Sequence, residues 1–102
     1  MIGVGRSAQI IGDPQAAMAF AASMTEHIKG WPGVQRATCW ASLAGATGTV
    51  AWWLEMTDLA AFEALNTAIA SDKTYWAKVT EARDKGYFAP QSFHDNLMRQ
   101  VA

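Results

Sequence analysis

The chain has 102 residues, 51% of them hydrophobic and 17% charged, with a formal net charge of −1. That length supports one domain with one core. The near-neutral balance argues against nucleic acid, which calls for a basic patch, and so few charges leave little polar surface for a monomer this small. No stretch approaches the length of a membrane span. The N-terminus, MIGVGRSAQIIGDP, lacks the basic start and long apolar run of a signal peptide. The single cysteine, Cys39, cannot form an internal disulfide. These features point to a cytoplasmic protein that binds neither nucleic acid nor membrane.

Taken in order, Ile2 to Ile11 reads as a first strand, with Val4, Ala8 and Ile10 on one face and Arg6 interrupting it. Gly3 and Gly5 loosen its start. Asp13 is a good N-cap and Pro14 a good first helical residue, so a helix is predicted from Pro14 to about Lys29. Ala17, Phe20, Ala21, Met24 and Ile28 form its apolar face. Gly30 and Pro32 stop it. Val34 to Leu43 reads as a second strand and Ala44 to Gly48 as a hairpin loop.

Thr49 to Met56 is β-branched and aromatic, which suits a third strand. It is apolar on both faces, with Val50, Trp52 and Leu54 on one and Ala51 and Trp53 on the other. Either Thr57 or Asp58 can cap the helix that follows, whose apolar positions are Leu59, Phe62, Leu65 and Ile69. A break is expected near Ser71-Asp72, with Tyr75, Trp76, Val79 and Ala82 continuing the stripe and Gly86 ending it. Phe88 to Gln91 reads as a connecting turn. Ser92 to Val101 reads as the last strand, with Phe93, Leu97 and Val101 on one face and His94, Asn96, Met98 and Gln100 on the other.

The order β-α-β-β-α-β is the ferredoxin-like pattern, an α+β fold with a four-stranded antiparallel sheet and its helices on one face. One helical layer covers one face of the third strand. Trp53 then needs a second cover, and a twofold partner supplying the same sheet face provides one. A homodimer is the expected assembly.

The run WLEMTDLAAFEALNTAIASDKTYW, from Trp53 to Trp76, and the later RDKGYFAPQSFHDNLMR, from Arg83 to Arg99, resemble the dimeric α+β barrel superfamily. Within it they look most like NIPSNAP-like proteins and antibiotic biosynthesis monooxygenases. The resemblance implies two ferredoxin-like subunits packed sheet against sheet, with helices outside. It also implies relatives that oxidise aromatic substrates without metal or flavin, and others that degrade haem. The haem-degrading relatives use a helical histidine as iron ligand, and no histidine stands between Leu59 and Lys85.

No His, Cys, Asp or Glu pair has recognisable ligand spacing, so neither a metal nor a cofactor is expected. Gly3-Val4-Gly5 opens a strand rather than joining strand to helix, which removes a nucleotide-loop reading. His27 suits the negative end of the first helix. His94 is the histidine on a predicted strand. It is either satisfied by a neighbour or the proton carrier of a cavity, and it is the candidate catalytic residue. The five tryptophans serve packing or line a pocket for a planar ligand. Arg6, Arg36 and Glu55 are strand charges that either pair at the sheet rim or face a pocket. Trp53, Arg6, Arg36 and Asn96 are therefore the candidate ligand-binding residues. Together with His94 they suit an aromatic molecule carrying an oxygen or acid group. Two readings follow: a binding protein for a small apolar or aromatic ligand, or a cofactor-free monooxygenase-like enzyme.

Overall fold

The computed structural model describes residues 1–45 and 47–102. The elements are β1 (Ile2–Gln9), α1 (Pro14–Lys29), β2 (Val34–Ala41), β3 (Thr49–Met56), α2 (Leu59–Ile69), α3 (Lys73–Lys85) and β4 (His94–Arg99). The four strands form one antiparallel sheet in the order β2-β3-β1-β4. This is the ferredoxin-like arrangement, with the second helical region divided in two.

Each helix begins at an aspartate. Asp13 accepts from the Gln15 amide, Asp58 from Ala61 and Asp72 from Tyr75, each satisfying an amide that the first turn leaves unpaired. Asp58 rather than Thr57 caps α2. Gly86 closes α3 at a φ of 64°, where a side chain would be strained, and its N–H reaches Ala82 and Arg83 carbonyls. The break between α2 and α3 falls at Ser71-Asp72, as the sequence suggests.

Strand register decides what each side chain faces. Val50, Trp52, Leu54 and Met56 of β3 pair with Ala8, Arg6, Val4 and Ile2 of β1, and this face turns toward the helices. The core gathers Ile2, Ala8, Val50, Trp52, Leu54 and Met56 against Ala17, Phe20, Ala21, Met24 and Ile28 of α1. Thr25 is also buried, and its hydroxyl donates to the Ala21 carbonyl at 2.8 Å. The opposite face carries Gly3, Gly5, Ala51, Trp53, Thr38 and Trp40, and among the described residues no helix packs over it.

Several boundaries differ from the sequence reading. β1 stops at Gln9 because Ile10 leaves the ladder, donating its N–H to Gly48 and forming a bridge with Phe88. β2 stops at Ala41 rather than Leu43, which is fully solvent-exposed in the β2–β3 loop. That expected loop includes Ala46, which lies outside the described residues. β4 spans His94–Arg99, shorter at both ends than expected. Phe88, inside the expected turn, and Tyr87 just before it are core residues. The Phe88 ring lies 5.9 Å from Phe20 and 5.8 Å from Trp52.

The apolar stripe of α2 and α3 is only partly buried. Leu65 is covered, Phe62, Ile69, Tyr75 and Val79 are half-buried, and Leu59 and Trp76 are exposed. The reason is geometric. α1 sits directly on the sheet, whereas α2 and α3 bridge over a space that no side chain fills.

Candidate functional site

That space is a cavity of about 840 Å³ between the sheet and the helices. Its size lies within the range of small-molecule sites. Trp52, Leu54, Val4, Arg6, Phe93, Asp95 and Leu97 line it from the sheet side. Phe20, Met24 and Ile28 wall it from α1, Phe62, Leu65, Asn66 and Ile69 from α2, and Tyr75, Trp76, Val79 and Arg83 from α3. The lining is mainly apolar and aromatic.

One polar group dominates the sheet side. Arg6 and Asp95 are register partners on β1 and β4, both facing the helices. Arg6 Nε donates to Asp95 Oδ1 at 2.7 Å and a terminal guanidinium nitrogen donates to Oδ2 at 2.8 Å. This is the two-pronged geometry that makes such pairs strong. The Asp95 bonds raise the guanidinium pKa against the opposing pull of burial, and the Tyr75 hydroxyl, close by on α3, raises it further. The same bonds hold the Asp95 carboxyl below the usual carboxylate range. The guanidinium also lies 5.9 Å from the centre of the Phe93 ring, within cation–π reach.

A second polar cluster braces the aromatic wall. Asp72 Oδ2 accepts from Trp31 Nε1 and from His27 Nε2, each at 2.7 Å, while Oδ1 accepts the Tyr75 amide at 3.0 Å. One carboxylate thus joins α1, the α1–β2 loop and α3. Its pKa falls to about 2, chiefly through the Tyr75 N–H, then through Trp31 and His27. The rings of Trp31 and Tyr75 meet edge to face at 5.2 Å, and Tyr75 and Trp76 at 5.1 Å. All three line the cavity.

The structure separates the residues that the sequence grouped. Arg6 faces the cavity. Trp53 lies on the opposite face of the sheet, flat against Gly3 and Gly5, where a Cβ on Gly3 would overlap its ring. His94 is the register partner of Ser7 and shares that outer face. Asn96 pairs with Gly5, so its side chain is also directed outward, although the residue contributes to the cavity wall. Arg36 stands on the outer face of β2, 3.9 Å from Glu55. Sequence reasoning missed Asp95, Tyr75 and Phe93 as site residues. The signal for Asp95 was a charge alternating with Phe93 and Leu97 on an apolar strand face, opposite in sign to Arg6.

Among the described residues, no group of three or more His, Cys, Asp and Glu is placed to hold a metal ion, and no helix is long and apolar enough to cross a membrane. The half-buried Cys39 thiol has its pKa pushed up by desolvation.

No family model matches the chain, and no curated protein matches its sequence. Solved structures do match over its whole length. A NIPSNAP domain protein from Burkholderia xenovorans superposes with a TM-score of 0.81 at 16% identity, covering 100% of this chain and 96% of that one. The chain shares the ferredoxin-like fold of that protein. SnoaB, a cofactor-independent oxygenase from Streptomyces nogalater, aligns with a TM-score of 0.74 at 14% identity, over 99% of this chain and 93% of its own. An antibiotic biosynthesis monooxygenase gives 0.74 at 14% identity, with 100% of both chains covered. At these identities the likeness is one of fold.

Proposed function

We propose that this α+β barrel chain binds a planar, mainly apolar aromatic molecule with one oxygen-bearing end, in the cavity between sheet and helices. The observation that carries this reading is the cavity's lining: aromatic walls on several sides and a single ion pair, Arg6–Asp95, on the sheet side. Apolar walls give affinity through burial, and a few polar groups fix orientation. The braced Trp31, Tyr75 and Trp76 rings offer a preformed stacking surface, so little ordering cost falls on the ligand's arrival. Binding of a neutral fluorescent naphthylamine probe tests the reading. One site per chain is expected, and Val79→Trp, which fills the cavity from α3, should weaken binding at least about tenfold, a loss of about 1.4 kcal/mol. Equal binding by both proteins would place the probe elsewhere and refute the reading.

Two copies of the chain are proposed to pair through the outer sheet face. That face carries Trp53, Ala51, Trp40 and Met98, and Trp40 is 62% exposed and Met98 57%. Sedimentation should report twice the 11.0 kDa chain mass; a stable monomer at micromolar concentration would end this proposal.

A second reading, a cofactor-free oxygenase acting on an aromatic substrate, draws on the fold shared with SnoaB. In such chemistry the substrate reacts with oxygen, and the protein supplies confinement and a base. Asp95 is the carboxylate inside the cavity. His94, on the outer face, would have to act from the pairing interface. Oxygen uptake with quinol-like compounds tests this reading, and its absence across a broad panel would leave binding alone.

A further inference from the structure

Resting on the reading that the cavity takes an aromatic ligand, we infer that Asp95 makes it selective for uncharged ligands and closes it to aromatic carboxylates. An arginine among apolar walls is ordinarily a carboxylate receptor, because its planar fork matches two oxygens at once. Here that edge of the fork is taken. Nε and a terminal nitrogen of Arg6 already hold the two oxygens of Asp95, at 2.7 and 2.8 Å. A ligand carboxylate would find only the remaining guanidinium edge, and it would stand beside the Asp95 charge. Apolar walls strengthen that repulsion relative to water.

The pair as a whole is neutral and presents guanidinium donors next to carboxylate lone pairs. Its complement is a group with an acceptor beside a donor, such as a primary amide or a hydroxyl next to a carbonyl. Both partners keep surface open to a ligand, with 47% of the Arg6 side chain and 58% of the Asp95 side chain exposed. The Phe93 ring, its centre 5.9 Å from the guanidinium, resists the fork's swinging toward a different anion. Arg83, the other cation of the lining, is 72% exposed and 3.6 Å from Asp84. Solvent screens it, so it offers little hold on a carboxylate.

Naphthamide and naphthoate have nearly the same shape and differ in charge, which makes them the probes of choice. Their affinities are measured by titration calorimetry at neutral pH on the full chain, on Asp95→Asn and on Asp95→Ser. The wild-type protein should prefer naphthamide by about tenfold or more. In both variants the freed Arg6 fork should tighten naphthoate by about tenfold and reverse the preference. Equal affinity of the wild type for both probes, or an unchanged preference in both variants, overturns the selectivity while leaving the binding cavity standing. Failure of the wild type to bind either probe overturns the selectivity and the cavity reading together.

Discussion

Trp53 lies across two glycines of the neighbouring strand, and this contact yields a prediction whose sign depends on the background. Gly3 and Gly5 face outward opposite Glu55 and Trp53, and the indole occupies the space above both. A Cβ at Gly3 would overlap the Trp53 ring, while one at Gly5 would come within 3.2 Å of it. Gly3→Ala therefore forces the ring off the sheet or displaces the strand. Overpacking of this kind costs about 1–3 kcal/mol. With the ring removed, as in Trp53→Ala, the three atoms nearest to that Cβ are gone. There Gly3→Ala relieves the penalty of a glycine within a strand, worth roughly 0.5–1 kcal/mol. The coupling between the two sites should then be about 1.5–4 kcal/mol, well above the roughly 0.3–0.5 kcal/mol scatter of independent sites. Denaturant unfolding of the wild type, both single variants and the double variant measures it. All four must be compared at one protein concentration, because association contributes to apparent stability. If Gly3→Ala costs the same with and without Trp53, the ring does not lie where the structure puts it.

Trp53→Asp should shift sedimentation toward the single-chain mass, because it places a charge in the face proposed for pairing; an unchanged dimer would locate pairing elsewhere. Asp72 has its pKa lowered from 3.8 to about 2, so its contribution to stability is complete above the ordinary value and is lost as pH falls through about 2. Asp72→Asn keeps an N-cap for α3 but loses the charge, so its acid-unfolding curve should be flatter than that of the wild type between about pH 4 and 2; an identical slope would refute the assignment. Elemental analysis and a visible spectrum of the purified protein should show neither stoichiometric metal nor a Soret band, given that no His, Cys, Asp and Glu cluster is placed to hold an ion among the described residues.

Local pattern carried much of the fold. The alternation in Thr49–Met56 assigned Val50, Trp52, Leu54 and Met56 to the helix side, and all four are buried. The Asp13 cap, the break at Ser71-Asp72 and the Gly86 stop were readable because capping depends on a few adjacent residues, whereas Thr57 and Asp58 could not be told apart. The site was less legible for two reasons. Arg6 and Asp95 are 89 positions apart, and only strand register makes them partners. Periodicity in α2 and α3 also identifies an apolar face without saying how far that face stands from the sheet. Phe62, Tyr75 and Trp76 read as core, yet they overhang a cavity, and Leu59 is exposed. Tyr87 and Phe88 were obscured by the neighbouring Pro90, which marks a turn but does not reveal that the chain first passes through the core.

The alternation of β1 links the two proposed surfaces. Ile2, Val4, Arg6 and Ala8 face the helices, and Gly3, Gly5, Ser7 and Gln9 face outward. The outward glycines leave the flat bed on which Trp53 lies, and that bed shapes the face proposed for pairing. The inward positions are apolar except for Arg6, which meets Asp95 from the other neighbouring strand. A shift of one residue in this strand would exchange the two sets. It would drive the Arg6 charge outward and bring glycines against α1, emptying part of the core while removing the cavity's ion pair. The burial that fixes β1 between β3 and β4 therefore also fixes which side lines the cavity and which faces outward. A binding site and a pairing face can share one strand because its side chains alternate, and each side imposes its own demand on every second residue.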